Sequence, residues 1–404
     1  MSFGPYGKIL RIPRVPRLVL SALVGRLSLG MTGLALVLLV RHTGGSYALA
    51  GLVTGAFALG SGLSAPVMGR IIDRHGQTRL LFASATVCAA AFAALAIVAD
   101  IGPSALLPAI AAVAGAAIPP ISSCMRALWS FLLGRSGGLQ TAFTFEATTQ
   151  EVIFILGPPL VVVLIAVASP VVAVLVIAAT VLIGTCLFAT TPASRTWRSA
   201  SHQRDWAGAL RGPGVRTVLG VAVLIAVSFG MIEVSVPAVA EQLGNRALSG
   251  LFLSLWGGGS MLGGLVAGAL TTGWPPERRV VALLGLITVG LVPLTVAVGG
   301  VIAFAVCMVL AGVGIAPAVA CLYLLVDRSA PAGTVTEAFT WLTSAFTAGF
   351  AVGGALGGST VQHASPATAL LVSFVMASAA MLLARVRRPS LVAPLPSALE
   401  SEVP

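Results

Sequence analysis

The sequence predicts an all-α integral membrane protein with twelve transmembrane helices arranged in two similar halves. Of its 404 residues, 57% are hydrophobic and only 9% are charged, and the mean hydropathy is +1.03. Soluble domains carry about 25% charged residues, so this composition excludes a soluble protein. Two further observations support the prediction: long apolar runs follow one another along the chain, and short motifs recur at offsets of 196 to 200 residues.

Each apolar run is long enough to cross the hydrocarbon core of a bilayer, which takes about 20 helical residues. There are twelve such runs, at roughly 18–40, 47–70, 79–99, 104–133, 139–167, 169–190, 216–241, 246–272, 278–300, 301–326, 334–362 and 366–386. The fifth and sixth runs are separated almost only by Ser169-Pro170, and the ninth and tenth by Gly299-Gly300. We refer to the runs as predicted spans one to twelve.

The basic residues are distributed unevenly between the two sides of the predicted bundle. If the N-terminus is cytoplasmic, 19 of the 23 lysines and arginines lie in cytoplasmic segments. Arg41 and Arg246 lie in outer loops, whereas Arg26 and Arg126 lie within spans. By the positive-inside rule, both termini are predicted to be cytoplasmic. The net charge of +11 therefore reflects membrane topology and does not indicate nucleic-acid binding.

Recurring motifs divide the chain into two parallel repeats. The matches include Ala114-Gly115-x-x-Ile118-x-Pro120 with Ala311-Gly312-x-x-Ile315-x-Pro317, Ser28-x-Gly30-Met31 with Ser228-x-Gly230-Met231, and Ala168-Ser169-Pro170 with Ala364-Ser365-Pro366. We predict one six-helix half over residues 1–190 and another over 216–388. A cytoplasmic linker over 191–215, with one short amphipathic turn around Trp197 and Trp206, joins them. A proline-rich, disordered tail is predicted over 389–404.

A charged turn joins the second and third spans and reads Gly69-Arg70-Ile71-Ile72-Asp73-Arg74-His75-Gly76-Gln77-Thr78-Arg79. Its spacing, Gly-x-x-x-Asp-Arg-x-Gly-x-x-Arg, resembles the loop between helices 2 and 3 of the major facilitator superfamily of secondary transporters. The resemblance implies a major facilitator fold whose two halves rock about a site near the middle of the membrane. It also implies that Asp73 faces the N-terminus of helix 11, where the helix dipole favours an anion. We call this expected contact the latch, formed by Gly69, Asp73, Arg74, Gly76, Arg79 and Glu337.

Glu337 stands at the start of the eleventh span. The sequence Thr334-Val335-Thr336-Glu337 has the spacing of a capping box, in which the first and last side chains cap each other's backbone amides. The corresponding loop of the second half carries Thr272 where the first half has Asp73. The latch is therefore predicted on one side only.

Charged residues inside the spans are the best indicators of function, since each costs about 2.5–3.5 kcal/mol near the bilayer centre. Five are present: Arg26, Arg126, Glu146, Glu151 and Glu233. Arg126 and Glu146 each lie about seven residues, or about 10 Å, from the cytoplasmic face. They are predicted to pair, either as a structural clamp or as part of the transport site.

Glu151 lies about 7.5 Å deeper than Glu146, in the polar run Thr148-Thr149-Gln150-Glu151. This depth is close to the midplane, where transporter binding sites concentrate. We predict a role in proton coupling or substrate binding for Glu151, with Arg26 as its nearest cation. Glu233, on the seventh span, is a second proton-carrier candidate. The alternative for each is a buried acid with only a structural role.

The sequence as a whole predicts a secondary transporter, not an enzyme, with no cofactor and no metal site. The motifs Arg26-Leu27-x-x-Gly30-Met31 and Glu146-x-x-x-x-Glu151-x-x-x-x-x-Gly157-Pro158 resemble a bacterial subgroup labelled as efflux transporters. We expect proton-coupled efflux of a small drug-like or metabolite molecule, amphipathic or cationic in character, through the bacterial cytoplasmic membrane. Proton-coupled uptake of a metabolite is the alternative, and a receptor or membrane enzyme is a remote one. The expected partners are the substrate, protons and the lipid bilayer, and we expect a monomer.

Overall fold

The computed structural model is an all-helical bundle over the residues that it describes: 7, 9–45, 47–133, 138–199, 208–245, 248–269 and 273–392. Twelve helices are long and apolar enough to cross a membrane, which confirms the predicted fold class. Numbered α1 to α12 in chain order, they are Val15–His42, Tyr47–His75, Gln77–Ile101, Leu107–Ala116 with Ile121–Leu133, Gly138–Val167, Pro170–Ala189, Pro213–Gln242, Leu248–Ala269, Pro276–Val296, Val301–Gly312 with Ile315–Ser329, Val335–His363 and Pro366–Val386.

Helices α4 and α10 are each interrupted near the middle, a feature that the apolar runs did not reveal. The break in α4 includes Pro119-Pro120, and the break in α10 falls at Val313 and Gly314. Proline lacks the amide hydrogen that would continue the helical ladder, so the α4 break follows from its sequence. The two interruptions occupy corresponding places in the two halves, as the repeated Ala-Gly-x-x-Ile-x-Pro motif predicts.

The repeated Ala-Ser-Pro motif produces the same helix start in both halves. Ser169 caps α6, with its hydroxyl accepting from the Val172 amide at 3.2 Å. Ser365 caps α12 in the same way, accepting from the Thr368 amide at 3.1 Å. A serine at this position followed by proline satisfies one free amide and presets the first helical residue.

Paired glycines bring helices within each half into close contact. A Cβ atom added to Gly157 on α5 would collide with the backbone of Gly30 on α1. The equivalent crossing lies between α7 and α11, where a Cβ on Gly230 would meet the carbonyl of Phe350. Small residues allow backbones to approach where no side chain separates them. The two halves therefore share one packing scheme.

We call the end of the bundle that holds the α2–α3 turn and the α10–α11 turn the basic end, because it carries Arg70, Arg74 and Arg328. The α2–α3 turn itself is a single residue, Gly76, with a φ of 84° that L side chains rarely adopt. Glycine adopts this conformation without steric cost, so the chain reverses direction within one residue.

The linker and the tail are more ordered than the sequence suggested. A short helix, Pro192–Thr196, and a 3-10 turn, Gly208–Arg211, lie in the linker. The tail begins with a helical turn, Arg388–Leu391, instead of disorder from residue 389; its Leu391 is buried and packs into the core. Some residues named in the predictions lie outside the described residues: Trp206, Arg246, Thr272 and 393–404.

Candidate transport site

Three charged side chains meet between α1, α4 and α5, in the half of the bundle nearer the basic end. Arg26 Nη1 donates a hydrogen bond to Glu146 Oε1 at 3.0 Å. Arg126 Nε lies 3.3 Å from the same oxygen, close enough for an ion pair. Trp129 Nε1 donates to the other carboxylate oxygen at 3.1 Å. Each charged side chain is at most 5% exposed, so one buried carboxylate holds two buried arginines.

The expected pairing of Arg126 with Glu146 is present, whereas the expected pairing of Arg26 with Glu151 is wrong. Depth along the membrane suggested the second pair, but the direction in which each glutamate points from α5 determines which of them can reach Arg26. Glu146 and Glu151 are five residues apart, so their side chains point about 140° apart around the helix. Glu146 faces α1 and α4, and Glu151 points away from them toward α8.

Arg126 also crosses from the first half of the molecule to the second. Its Nη2 donates to the phenolic oxygen of Tyr323 on α10 at 2.9 Å. The guanidinium carbon lies 3.9 Å from the centroid of the Tyr323 ring and 6.0 Å from that of Phe339. Phe143 packs edge-on against both of these rings. Arg126 therefore sits in an aromatic pocket formed by both halves.

A second polar contact joins α4 and α10 one turn nearer the basic end, where the Ser130 hydroxyl donates to a carboxylate oxygen of Asp327. This pair was not predicted from the sequence. A signal was present, because Ser130 and Asp327 are 197 residues apart, like Arg126 and Tyr323. Positions related by the repeat face each other wherever a helix lies beside the axis that relates the halves.

Glu151 joins α5 to α8 at the middle of the bundle. The Ser260 hydroxyl donates to Glu151 Oε1 at 2.8 Å, and the glutamate is half-buried. In the part of the chain that the structure describes, no arginine or lysine forms an ion pair with this carboxylate. Glu233 is exposed on α7, apart from both acids of α5. The sequence did not indicate Ser260, since an isolated serine in a glycine-rich helix carries no distinctive pattern.

The basic end is closed by the contact expected of the latch. The backbone amides of Thr336 and Glu337, at the start of α11, donate to Asp73 Oδ1 at 3.1 Å and Oδ2 at 2.7 Å. These are the first amides of a helix, which have no partner within it. Asp73 is only 5% exposed. A buried side chain of α2, in the first half, therefore caps α11, in the second half.

The capping box predicted at Thr334 to Glu337 is absent. The Thr334 hydroxyl donates to the Pro331 carbonyl at 2.8 Å and caps no amide of α11. Glu337 accepts a hydrogen bond from Arg70 Nη2 at 2.7 Å, which adds a second link between α2 and α11. Asp73 already occupies the amides that Thr334 would have capped, so a contact between the halves replaces a local one.

The remaining latch residues have different surroundings. Gly69 packs so closely against Thr340 and Glu337 that a side chain would collide with α11. Arg74 and Arg79 are exposed. In the described part of the chain, no group of three or more histidine, cysteine, aspartate or glutamate residues is placed to hold a metal ion.

The family model described as Major Facilitator Superfamily matches residues 18–340 and 218–402. No curated protein matches the chain. Among solved structures, it is similar to the human organic anion transporter MFSD10 (TETRAN), with 17% identity and a TM-score of 0.72 over 93% of this chain and 100% of that one. It is also similar to a bacterial homologue of the iron transporter ferroportin in an outward-facing state (16% identity, TM-score 0.76, 93% and 99% covered). A third similar structure is the E. coli fucose:proton symporter FucP (15% identity, TM-score 0.71, 94% and 99% covered).

Identities this low show a shared fold. The family model goes further, because it matches most of the chain and includes the α2–α3 turn and both halves. The protein is thus a multi-pass membrane protein and a secondary transporter, not an enzyme. The chain belongs to the Major Facilitator Superfamily.

Proposed function

We propose that the protein exports a small drug-like or metabolite molecule across the bacterial cytoplasmic membrane and exchanges it for protons. The excess of arginine at the basic end supports a cytoplasmic location for that end. Residues from both halves of one chain form the candidate site, which supports our proposal of a monomer. The alternative, proton-coupled uptake of a metabolite, would use the same carboxylate, that of Glu151. The direction of substrate flux distinguishes export from uptake.

The observation that carries the proposal is the hydrogen bond between Ser260 and Glu151, at 2.8 Å across α5 and α8. The two helices belong to different halves, so a rocking motion that separates them removes this hydrogen bond. A carboxyl group whose surroundings change between two conformations binds a proton in one and releases it in the other. Glu151 has no ion pair among the described residues, so a proton does not have to compete with a fixed cation.

Four contacts at the basic end must break before the site opens to the cytoplasm. They are Asp73 with the start of α11, Arg70 with Glu337, Ser130 with Asp327, and Arg126 with Tyr323. Each joins the first half to the second. The conformation in hand is therefore closed to the cytoplasm, and the opposite conformation must offer these groups other partners or water.

The test uses inverted membrane vesicles and proteoliposomes, with flux of candidate substrates measured under an imposed proton gradient. Glu151→Gln keeps the shape and the hydrogen bond to Ser260 but cannot exchange a proton. It should lower gradient-driven accumulation at least tenfold, while exchange of labelled substrate without a gradient persists. Asp100→Asn removes an exposed acid at the far end of α3 and serves as the matched control. If Glu151→Gln retains full, pH-dependent uphill transport, the coupling role is refuted and Glu233 is the next residue to test.

A further inference from the structure

The charged cluster contains one positive charge more than its own residues compensate. Arg26 and Arg126 contribute two positive charges and Glu146 contributes one negative charge, and all three are buried. An uncompensated buried charge is costly. The Glu146 carboxylate accepts a hydrogen bond from Arg26 at 3.0 Å and makes only the longer ion pair, at 3.3 Å, with Arg126, so we assign the surplus to Arg126.

Apart from its 3.3 Å ion pair with Glu146, Arg126 contacts neutral groups within the described part of the chain. Its Nη2 donates to the Tyr323 hydroxyl, and its guanidinium lies over the Tyr323 ring. Its Nε has no hydrogen-bond acceptor, although this atom is buried and 3.3 Å from Glu146. A carboxylate on α10 would neutralise the arginine far better than a phenol. Asp327 is one turn away on that helix, but it accepts from Ser130.

Tyr323, the neutral partner of Arg126 in the other half, is a group that a substrate can replace. Glu146 lies in the same half as Arg126 and remains beside it when the halves separate. Tyr323 lies in the other half and departs with α10. The open conformation therefore exposes a guanidinium with a free edge, together with the Phe143 ring, which packs against Tyr323 and Phe339 in the closed state. A planar guanidinium of this kind binds a carboxylate with two parallel hydrogen bonds.

We propose that Arg126 binds the carboxylate of a small organic monoanion when the basic end is open, and that Tyr323 displaces it on closure. The single surplus charge matches a monoanion, and the Phe143 ring, uncovered when Tyr323 and Phe339 depart, matches an apolar or aromatic body. As the halves close, the Tyr323 hydroxyl returns to Arg126, and the released anion leaves toward the opposite side. This assignment rests on the proposed function, for which it names the substrate class.

The test measures binding to the purified full-length protein in lipid nanodiscs. The probes are benzoate, 1-naphthoate and octanoate, each beside its matched amine: benzylamine, 1-naphthylmethylamine and octylamine. Binding is followed with radiolabelled probes and by the rise in unfolding temperature that any ligand of the native state produces. At least one carboxylate should bind at least tenfold more tightly than its amine. If no carboxylate is preferred, the proposal is wrong.

Two variants separate anion binding from a purely structural role. Arg126→Met should weaken carboxylate binding at least tenfold, and it should fold because Arg26 and Glu146 remain as a neutral pair. Tyr323→Phe keeps the ring but removes the competing oxygen, so carboxylate binding should tighten about fivefold or more. If Tyr323 had only a structural role, carboxylate binding to Tyr323→Phe would be unchanged or weaker. Unchanged binding in Arg126→Met would also refute the proposal.

The same probes distinguish this inference from the proton-coupling proposal. Glu151→Gln should retain carboxylate binding while it loses gradient-driven accumulation. Preferential carboxylate binding together with gradient-independent transport would refute proton coupling and leave the anion site standing. Gradient-driven transport without carboxylate preference would refute the anion site and leave coupling standing.

Discussion

Replacing Asp73 with asparagine tests whether the latch determines which side of the transporter is open. In the closed state, Asp73 accepts two backbone amides and places a negative charge at the start of α11. Asparagine keeps one oxygen acceptor but presents an amide donor to the second helix amide. Hydrogen bonds to charged groups contribute about 1.5–3 kcal/mol and neutral ones about 1 kcal/mol. The charge at the helix N-terminus adds about 0.3–1 kcal/mol. The loss is thus about 3 kcal/mol, a shift of about 100-fold toward the state open at the basic end.

The shift is measured with spin labels at His75→Cys and Ala332→Cys in a background without the five native cysteines. Both positions are exposed at the basic end, one in each half. Asp73→Asn should move most of the label distances to longer values. Asp100→Asn is the control, because it makes the same change at an exposed acid at the far end of α3. If Asp73→Asn leaves the distances and the flux unchanged, Asp73 does not hold the basic end shut.

Two further predictions concern the charged cluster and the topology. Glu146→Gln leaves Arg26 and Arg126 buried together without an acid, which should cost about 3–5 kcal/mol and lower the yield of folded protein. Adding Arg126→Met to this variant should recover part of that yield. A normal yield of Glu146→Gln alone would contradict a structural role for the Arg126–Glu146 pair. A reporter fused after Arg388 should be cytoplasmic and one inserted near Gly244, in the α7–α8 turn, should be extracytoplasmic; tags on the same side would contradict the arginine-based orientation.

The features that the sequence predicted well are those that depend on one-dimensional spacing. Run length identified twelve spans. Offsets near 197 residues paired Ser169 with Ser365, and in the structure both serines cap a helix. The resemblance of the charged turn to the major facilitator loop implied that Asp73 faces the start of α11, where the structure has it. Run length, repeat offset and motif order do not depend on how each helix is rotated relative to its neighbours, so they can be determined from the sequence alone.

The features that the sequence did not predict depend on the direction of side chains around a helix. Arg26 pairs with Glu146 and not with Glu151. The prediction was wrong because it used only the depth of each residue in the membrane, which does not tell which face of α5 meets α1. The capping box at Thr334 failed for a related reason: a local motif competes with a distant carboxylate, and Asp73 has the better geometry. Contacts between the halves are set by packing, which no local pattern encodes.

The two α4–α10 contacts show why the halves of such a repeat must diverge at particular positions. A residue beside the axis that relates the halves faces its own counterpart, as Arg126 faces Tyr323 and Ser130 faces Asp327. If both halves carried the arginine at the first position, or the aspartate at the second, two like charges would meet, and buried like charges repel. A charged residue at such a position therefore requires a different residue in the other half, one that can accept from the arginine or donate to the aspartate. At 126 and 323 the acceptor is a neutral phenol, which closes the basic end yet leaves the arginine able to exchange it for an anion.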